Sequence, residues 1–344
     1  MYLIFKLCNR TALSVHLNYV LSPLFCYNQL IMTLKTFFNF TRIQTLPAAL
    51  LSPIAGCLFA LWYFKSFHFW PTFFFFIGLA SINLFVSAWN NLMDYQKALD
   101  PEYKKWNIIV AKSINPKLAL KICLSFLVVD VIVGLVVLFM TNLAVLPIGG
   151  LCFLIAIFYT YGPFAFSRFP LGELLAGLCE GFFGFFLAVY LNSYDKGYFF
   201  ISFDKNWLMT WTWDFKILLP ILLVGLMCFV QNFNIMFSDN ICDLDQDIRN
   251  ERYTLPYYLK IPLSLKIFTG LYLFAGLCIL LAICLKILPI WSLLMLIISV
   301  RVIPNIQKFR AKQSKSETFH LQINNLMLFN ASLAITLLLG IIFR

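Results

Sequence analysis

Nine stretches of roughly 20 mostly apolar residues recur along this chain, near 44–63, 71–91, 118–140, 143–161, 173–191, 216–238, 263–284, 287–303 and 322–343. A helix needs about 20 such residues to cross the hydrocarbon of a bilayer. A helix also satisfies its own backbone polar groups there. The pattern therefore predicts an all-α, polytopic membrane protein of about nine transmembrane helices. Composition agrees: 61% of residues are hydrophobic, 12% are charged, and the mean hydropathy is +0.85. A soluble domain carries about 25% charged residues. The 344 residues would suffice for two soluble domains by length alone, but too few polar side chains exist to cover their surface.

The borders of the runs carry aromatic and proline residues, as at Trp70-Pro71, Trp211-Thr212-Trp213 and Pro289-Ile290-Trp291, which fits interfacial aromatic belts. Basic residues alternate between the loops. Segments 32–43, 95–117, 160–171, 239–266 and 301–320 hold 17 Lys or Arg, whereas the opposite set holds only Lys65, Lys196, Lys205 and Lys286. The positive-inside bias predicts that the first set faces the cytoplasm, with the N-terminus inside and the C-terminus outside. The formal charge of +11 is thus a membrane-orientation signal, and no nucleic-acid partner is expected. Residues 1–31 fit the scheme poorly, because 11–31 include His16, Asn18, Asn28 and Gln29. They read as an amphipathic anchor, a poor extra helix, or sequence upstream of a true start at Met32, and we favour the last. Residues 32–344 then form a single transmembrane domain. The ten cysteines include no CxxC pair, and the three histidines lie far apart, so neither type suggests a metal site.

Two segments are too acidic for their surroundings. Asn90-Asn91-Leu92-Met93-Asp94 through Asp100 ends the second run, and Asp239-Asn240-Ile241-Cys242-Asp243-Leu244-Asp245-Gln246-Asp247 ends the sixth. If the helices continue one turn past the apolar residues, Asp239, Asp243 and Asp247 share one face, as do Asn90 and Asp94. Stacked carboxylates raise one another's pKa values, and a divalent cation removes that cost. Hard oxygen ligands at a membrane edge suit Mg²⁺, which keeps water and phosphate oxygens in its shell. A diphosphate bridged between the two clusters is the natural ligand. Lys97, Lys104, Lys105, Lys112, Arg249 and Arg252 are placed to neutralise it. The bland alternative is a solvated acidic face. The shared Asn/Asp pattern, the helix-end placement and the common predicted side favour a site.

A third segment, Tyr159-Thr160-Tyr161-Gly162-Pro163 through Arg168 to Gly172-Glu173, predicts a compact loop on that same side. Glu173 would begin the next helix and complement its dipole. Glu180 lies seven residues on, along roughly the same face, where a carboxylate must meet protein or a cavity. Asp130, alone in the third run, reads as a helix–helix hydrogen-bonding residue.

With these residues in place, the chain resembles the intramembrane aromatic prenyltransferases of the UbiA type, most closely their menaquinone branch. Asn90, Asp94 and Asp100 match an NDxxDxxxxxD-like first motif, and Asp243 and Asp247 match a DxxxD second motif. Arg42 to Ala49 resembles the branch's RPKTLPAA start, Tyr159 to Glu173 its YTGGPxPxxxxGxGE loop, and Arg252-Tyr253-Thr254-Leu255 its KRTL. The likeness covers about 34–343. Asn91 stands where aspartate is usual, Asp239 where asparagine is, Cys242 where arginine is, and Glu251 where glycine is. No copy of the branch's arginine-containing segment is evident within Tyr103–Ser113.

The resemblance implies a nine-helix UbiA-type bundle in the bacterial cell membrane. It implies transfer of a polyprenyl group from polyprenyl diphosphate to 1,4-dihydroxy-2-naphthoate, with loss of carbon dioxide, giving demethylmenaquinone. Asp94, Asp100, Asp239, Asp243 and Asp247 would hold Mg²⁺, with Lys97 and Arg252 on the diphosphate and Asn90 orienting a water or phosphate oxygen. Tyr159 would face the allylic cation, and Arg168 and Glu173 would orient the naphthoate. The many Phe and Leu residues would contact lipid, other helices or the isoprenoid tail. Two other readings are a same-fold enzyme with a different aromatic acceptor and a non-enzymatic, cation-binding transporter. The second predicts charges at the centres of the runs, whereas the acids here sit at run ends.

Overall fold

The computed structural model describes residues 32–344, so the expectations for residues 1–31 lie outside the described residues. A short amphipathic helix, α1 (Leu34–Thr41), leads through a turn into α2 (Leu46–Tyr63) and α3 (Phe69–Lys97). Two small helices, α4 (Pro101–Trp106) and α5 (Ile108–Ala111), precede α6 (Pro116–Met140), α7 (Val145–Phe158) and α8 (Gly172–Leu191). A hairpin of β1 (Phe199–Phe203) and β2 (Met209–Trp213) comes next, then α9 (Phe215–Cys242), α10 (Leu244–Arg249) and α11 (Leu255–Cys284). The chain closes with α12 (Leu293–Ser299), α13 (Val302–Ala311) and α14 (Phe319–Ile342).

Among the described residues, eight helical segments are long and apolar enough to span a membrane: α2, α3, α6, α8, α9, α11, Ile290–Ala311 and α14. The remaining apolar run, 143–161, forms α7, whose 14 residues extend about 21 Å, short of a ~30 Å hydrocarbon layer. The hairpin was not expected. Its aromatic and β-branched residues suit a pleated pair, and Phe199 lies opposite Trp213 in antiparallel register.

The bundle has inner and outer members. In the most apolar part of α9, 67% of residues are buried, and 61% in α8, against 11% in α6. Helix α8 fits close to α9 because Gly181 has no side chain: a Cβ there would overlap the Cys228 carbonyl oxygen. The last helix packs back on α2, as Asn330 Nδ2 donates to Ser52 Oγ (3.1 Å), and Trp62 of α2 donates through Nε1 to the Ile287 carbonyl in the loop after α11 (2.9 Å). Buried amides join the other late helices: Asn234 Nδ2 donates to the Phe268 carbonyl (3.3 Å), and Asn305 Nδ2 to Asn325 Oδ1 (2.7 Å). Such side chains hold helices together where the hydrophobic effect between them is weak.

The last regular stretch of α8 follows a π-helical segment, Gly177–Phe183. This wider turn breaks the expected two-turn spacing: Glu173 is fully buried while Glu180 is exposed. Asp130 also departs from expectation. Its two oxygens accept no hydrogen bond, while Ser81 Oγ donates to the Phe126 carbonyl instead (3.2 Å).

Candidate active site

Helix α3 runs on past its apolar residues, so Asn90, Asp94 and Lys97 project from its final turns. Asp94 Oδ2 accepts the Tyr103 hydroxyl (3.0 Å), and Asn90 Oδ1 accepts the Thr160 hydroxyl (3.0 Å). Lys97 Nζ donates to the carbonyls of Thr160 and Gly162 (both 2.9 Å), fastening the first acidic segment to the 159–172 loop. Gly162 has φ +86°, a left-handed conformation that suits glycine.

The second acidic segment keeps helical spacing across the end of α9. The Asp243 amide donates to the Asp239 carbonyl (3.0 Å), and the Asp247 amide to the Asp243 carbonyl (2.8 Å). The side chains nevertheless separate into two pairs of partners. Asp239 and Asp243 both meet Lys315, the latter at 2.7 Å, whereas Asp247 Oδ1 lies 3.4 Å from Arg252 Nη1.

Asn250 joins the two segments. Its Oδ1 accepts the amides of Leu99 (3.2 Å) and Asp100 (3.1 Å), and its carbonyl accepts Arg168 Nη2 (2.6 Å). The loop closes as the Ser167 amide donates to the Tyr159 carbonyl (2.8 Å) and the Tyr253 amide to the Arg168 carbonyl (2.9 Å). Glu173 then clamps three elements, its Oε1 accepting Asn240 Nδ2 (2.8 Å) and the Leu255 amide (3.1 Å). The result is a small cleft lined by Asp94, Lys97, Tyr103, Thr160, Arg168, Asn250 and Arg252. Both acidic segments thus meet at one end of the bundle.

The electrostatics follow from this enclosure. Burial, with only partial relief from Arg252, pushes the Asp247 carboxyl up to about 6. Asp243 is likewise raised, by burial first and by Asp239, although Lys315 opposes the shift. Burial works against the Arg252 charge, but Asp247 and Asp94 more than offset it, so the guanidinium is held above its ordinary range. Burial and then Glu173 raise the Tyr159 phenol, with Glu180 and Asp239 adding to the effect. Its hydroxyl donates to the Gly172 carbonyl (3.3 Å).

The donor set fits a hard divalent cation of one kind. Asp247 Oδ2 is buried without a hydrogen-bond partner, Asp94 lines the cleft, and Asp247 adjoins it through Arg252. No group of three or more His, Cys, Asp or Glu among the described residues is close enough to make a closed protein cage. That arrangement suits Mg²⁺, which binds through one or two carboxylates and completes its shell with water and phosphate oxygens.

Asp100 stands apart from the other acids expected to bind metal. Its Oδ1 caps α4 by accepting the Glu102 amide (2.9 Å), and its Oδ2 faces Arg249 Nε at 3.6 Å. Of the six expected phosphate-neutralising cations, Lys97 and Arg252 line the cleft. Arg249 faces Asp100, and Lys104 sits 5.3 Å from the Tyr95 ring centroid. Lys105 and Lys112 are exposed.

Two of the sequence departures now have a structural context. Asn91 is buried and faces away from the cleft: its Oδ1 accepts Arg42 Nη2 (2.9 Å) and its Nδ2 donates to the Phe40 carbonyl (2.8 Å). Glu251 adopts φ +55°, a conformation for which glycine is the usual residue. Sequence reading missed Tyr103, Asn250 and Lys315. Nothing in the pattern separates Lys315 from the other bases of 301–320, since only the return of the α13–α14 loop brings it to Asp239.

Residues 50–330 match the model of the UbiA prenyltransferase family. A 1,4-dihydroxy-2-naphthoate octaprenyltransferase of Bacillus subtilis (strain 168) is 27% identical over 221 residues, which cover 62% of this chain and 63% of that relative's length. Among solved structures, a UbiA homologue from Aeropyrum pernix K1 gives a TM-score of 0.65 at 16% identity, covering 85% of this chain and 98% of that one. A digeranylgeranylglyceryl phosphate synthase gives 0.61 at 17%, covering 90% and 99%. A UbiA homologue from Archaeoglobus fulgidus bound to GPP and Mg²⁺ gives 0.58 at 12%, covering 89% and 99%.

Proposed function

Because the chain belongs to the UbiA prenyltransferase family, we propose that it transfers a polyprenyl group from polyprenyl diphosphate to 1,4-dihydroxy-2-naphthoate, with loss of carbon dioxide, giving demethylmenaquinone. The observation that carries this reading is one cleft lined by Asp94, Lys97, Arg168 and a half-buried Arg252, with Asp247 of the second acidic segment paired to that arginine. Such a mixture of carboxylates and cations suits a metal-bound diphosphate better than a bare anion or a bare cation. The acceptor rests on the Bacillus relative's name. The donor is supported by the Archaeoglobus homologue's GPP and Mg²⁺.

In the mechanism, Arg252 and Lys97 stabilise the charge that develops on the departing diphosphate, acting from fixed positions at no reorganisation cost. Asp94, Asp243 and Asp247, with Asp239, are the residues that would hold Mg²⁺. Bound there, Mg²⁺ would supply Lewis-acid neutralisation of the phosphate oxygens. Asn90, fixed by Thr160, orients a water or a phosphate oxygen through its free amide. The aromatic face of Tyr159 favours the allylic cation. Arg168, tied to Asn250, and the Glu173 clamp hold the loop that bounds the acceptor side. We place Asp100 in support of α4 rather than on the metal.

The charge bias of the loops supports a cytoplasmic orientation for this end, in a bacterial plasma membrane. Thiol labelling of single cysteines introduced at Lys105 and Lys205 tests it, since the two should react from opposite sides.

The deciding experiment incubates purified protein with farnesyl diphosphate and 1,4-dihydroxy-2-naphthoate, with Mg²⁺ or EDTA, and resolves products by mass. The expected result is a prenylated, decarboxylated product that requires Mg²⁺ and is lost in Asp243→Asn. Prenylation of another aromatic acceptor alone would assign a different acceptor, and no product with any acceptor would refute the enzymatic reading.

A further inference from the structure

Lys315 has no part in the scheme above, yet it occupies the second acidic segment. Its ammonium donates to Asp239 Oδ1 and to Asp243 Oδ2 (2.7 Å), and it stands 4.9 Å from the Phe319 ring centroid. The other nearby cations are engaged elsewhere, Arg249 with Asp100 and Arg252 with Asp247. Among the described residues, Lys315 is thus the one base paired with the Asp239–Asp243 carboxylates. Position 242 between them is a cysteine and supplies no charge.

The loop that carries Lys315 is built rather than merely draped over the site. Lys312 pairs with Glu317 (2.5 Å), and Thr318 Oγ1 donates to the Lys312 carbonyl (2.8 Å) while accepting the Ser314 amide (3.0 Å). The Phe319 amide donates to the Ser314 carbonyl (3.0 Å), starting α14 directly behind the lysine. These bonds fix the backbone on both sides of Lys315 and leave its flexible stem to set the position of the charge. The side chain itself stays about half exposed, at 47%.

Two carboxylates one turn apart carry a charge of −2, which a single ammonium only half neutralises. A divalent ion neutralises it fully and binds the same oxygens, so the ammonium and the ion compete. Once displaced, the ammonium lies beside the metal-bound anion, where a mobile point charge on a long stem suits phosphate oxygens.

We infer that Lys315 is a diphosphate-binding residue that rests on Asp239 and Asp243 as an internal counter-ion until a divalent cation displaces it. This rests on the prenyl diphosphate reading of the site. The arrangement would keep the acidic pair neutral enough to persist without substrate, and would couple metal entry to release of a phosphate-binding cation.

The test uses full-length protein in detergent, with Mn²⁺ read by the electron paramagnetic resonance of the free ion and inorganic pyrophosphate as the anion. In Lys315→Ala, Mn²⁺ alone should bind about tenfold more tightly, because its competitor is gone. Pyrophosphate in the presence of Mn²⁺ should bind about tenfold more weakly, a charge-assisted contact having been lost. Lys315→Arg should restore most of the pyrophosphate affinity. In the wild type, mass spectrometry after brief amine acylation should show Lys315 more reactive with Mn²⁺ and protected again when pyrophosphate is added, a readout that needs no variant. Wild-type binding of both ligands with Lys315→Ala unchanged would overturn the role of Lys315 and spare the site. A wild type that binds neither ligand would overturn the site reading and this inference with it. Weaker Mn²⁺ binding in Lys315→Ala would also refute the competition.

Discussion

Lowering the pH from 7 to 5 should weaken divalent-cation binding about tenfold, and the structure supplies the number. The Asp247 carboxyl is buried, with a side-chain exposure of 5%, and is pushed up to about 6. A metal ion binds its ionised form, so affinity falls as protons compete for the oxygen. With a pKa of about 6, roughly nine-tenths of the carboxyl is ionised at pH 7 and one-tenth at pH 5, a loss of about 1.4 kcal/mol in binding. An ordinary aspartate at 3.8 would stay ionised across this range and show almost no effect. Asp243, also raised, can only steepen the dependence.

The sign for folding is the reverse. Because the folded-state pKa lies above the ordinary one, the metal-free fold binds the extra proton between about pH 4 and 6. It therefore gains stability as pH falls through that window, by up to about 3 kcal/mol, and loses it as pH rises. The assay is Mn²⁺ titration at pH 5, 6 and 7 at constant ionic strength, with thermal unfolding of metal-free protein beside it. A Mn²⁺ affinity that is flat from pH 7 to 5 would refute the argument that burial of Asp247 governs the metal site.

Glu173→Ala should lower the stability of the detergent-solubilised protein by about 2–4 kcal/mol, since Asn240 Nδ2 and the Leu255 amide would each lose a buried acceptor; thermal unfolding reads it. Lys97→Met should reduce kcat/KM by about 10–100-fold, because it removes both a charge beside the diphosphate and the charge-assisted contacts to the Thr160 and Gly162 carbonyls, and a wild-type value would refute both roles. Gly181→Ala should destabilise by about 1–3 kcal/mol or more through overpacking, because its Cβ would overlap the Cys228 carbonyl. The control is Gly134→Ala, which meets nothing within 4 Å and should be neutral or stabilising. Glu251→Gly should stabilise by about 0.5–1 kcal/mol, relieving the left-handed backbone at some cost in unfolded-chain entropy.

The sequence by itself determined the solvent and hence the class of fold. Runs as apolar as 116–140 and 255–284 cannot be covered with 12% charged residues, so a lipid-embedded helical bundle follows from composition and period. The helical spacing of Asp239, Asp243 and Asp247 was also local information, because the backbone bonds that preserve it join residues four apart. Even the junction of the two acidic segments at one end was legible, since alternating charge fixes which loops share a side.

Partners could not be read in the same way. Asp239 and Asp243 pair with Lys315, more than 70 residues away, and Asn250 holds the amides of Leu99 and Asp100. The π-helical segment that parts Glu180 from Glu173 and the capping duty of Asp100 were equally hidden. Each depends on how helices distant in sequence pack and where their ends turn. Period and composition report which face of a helix seeks burial, whereas the packed bundle decides which charged atoms meet once it is buried.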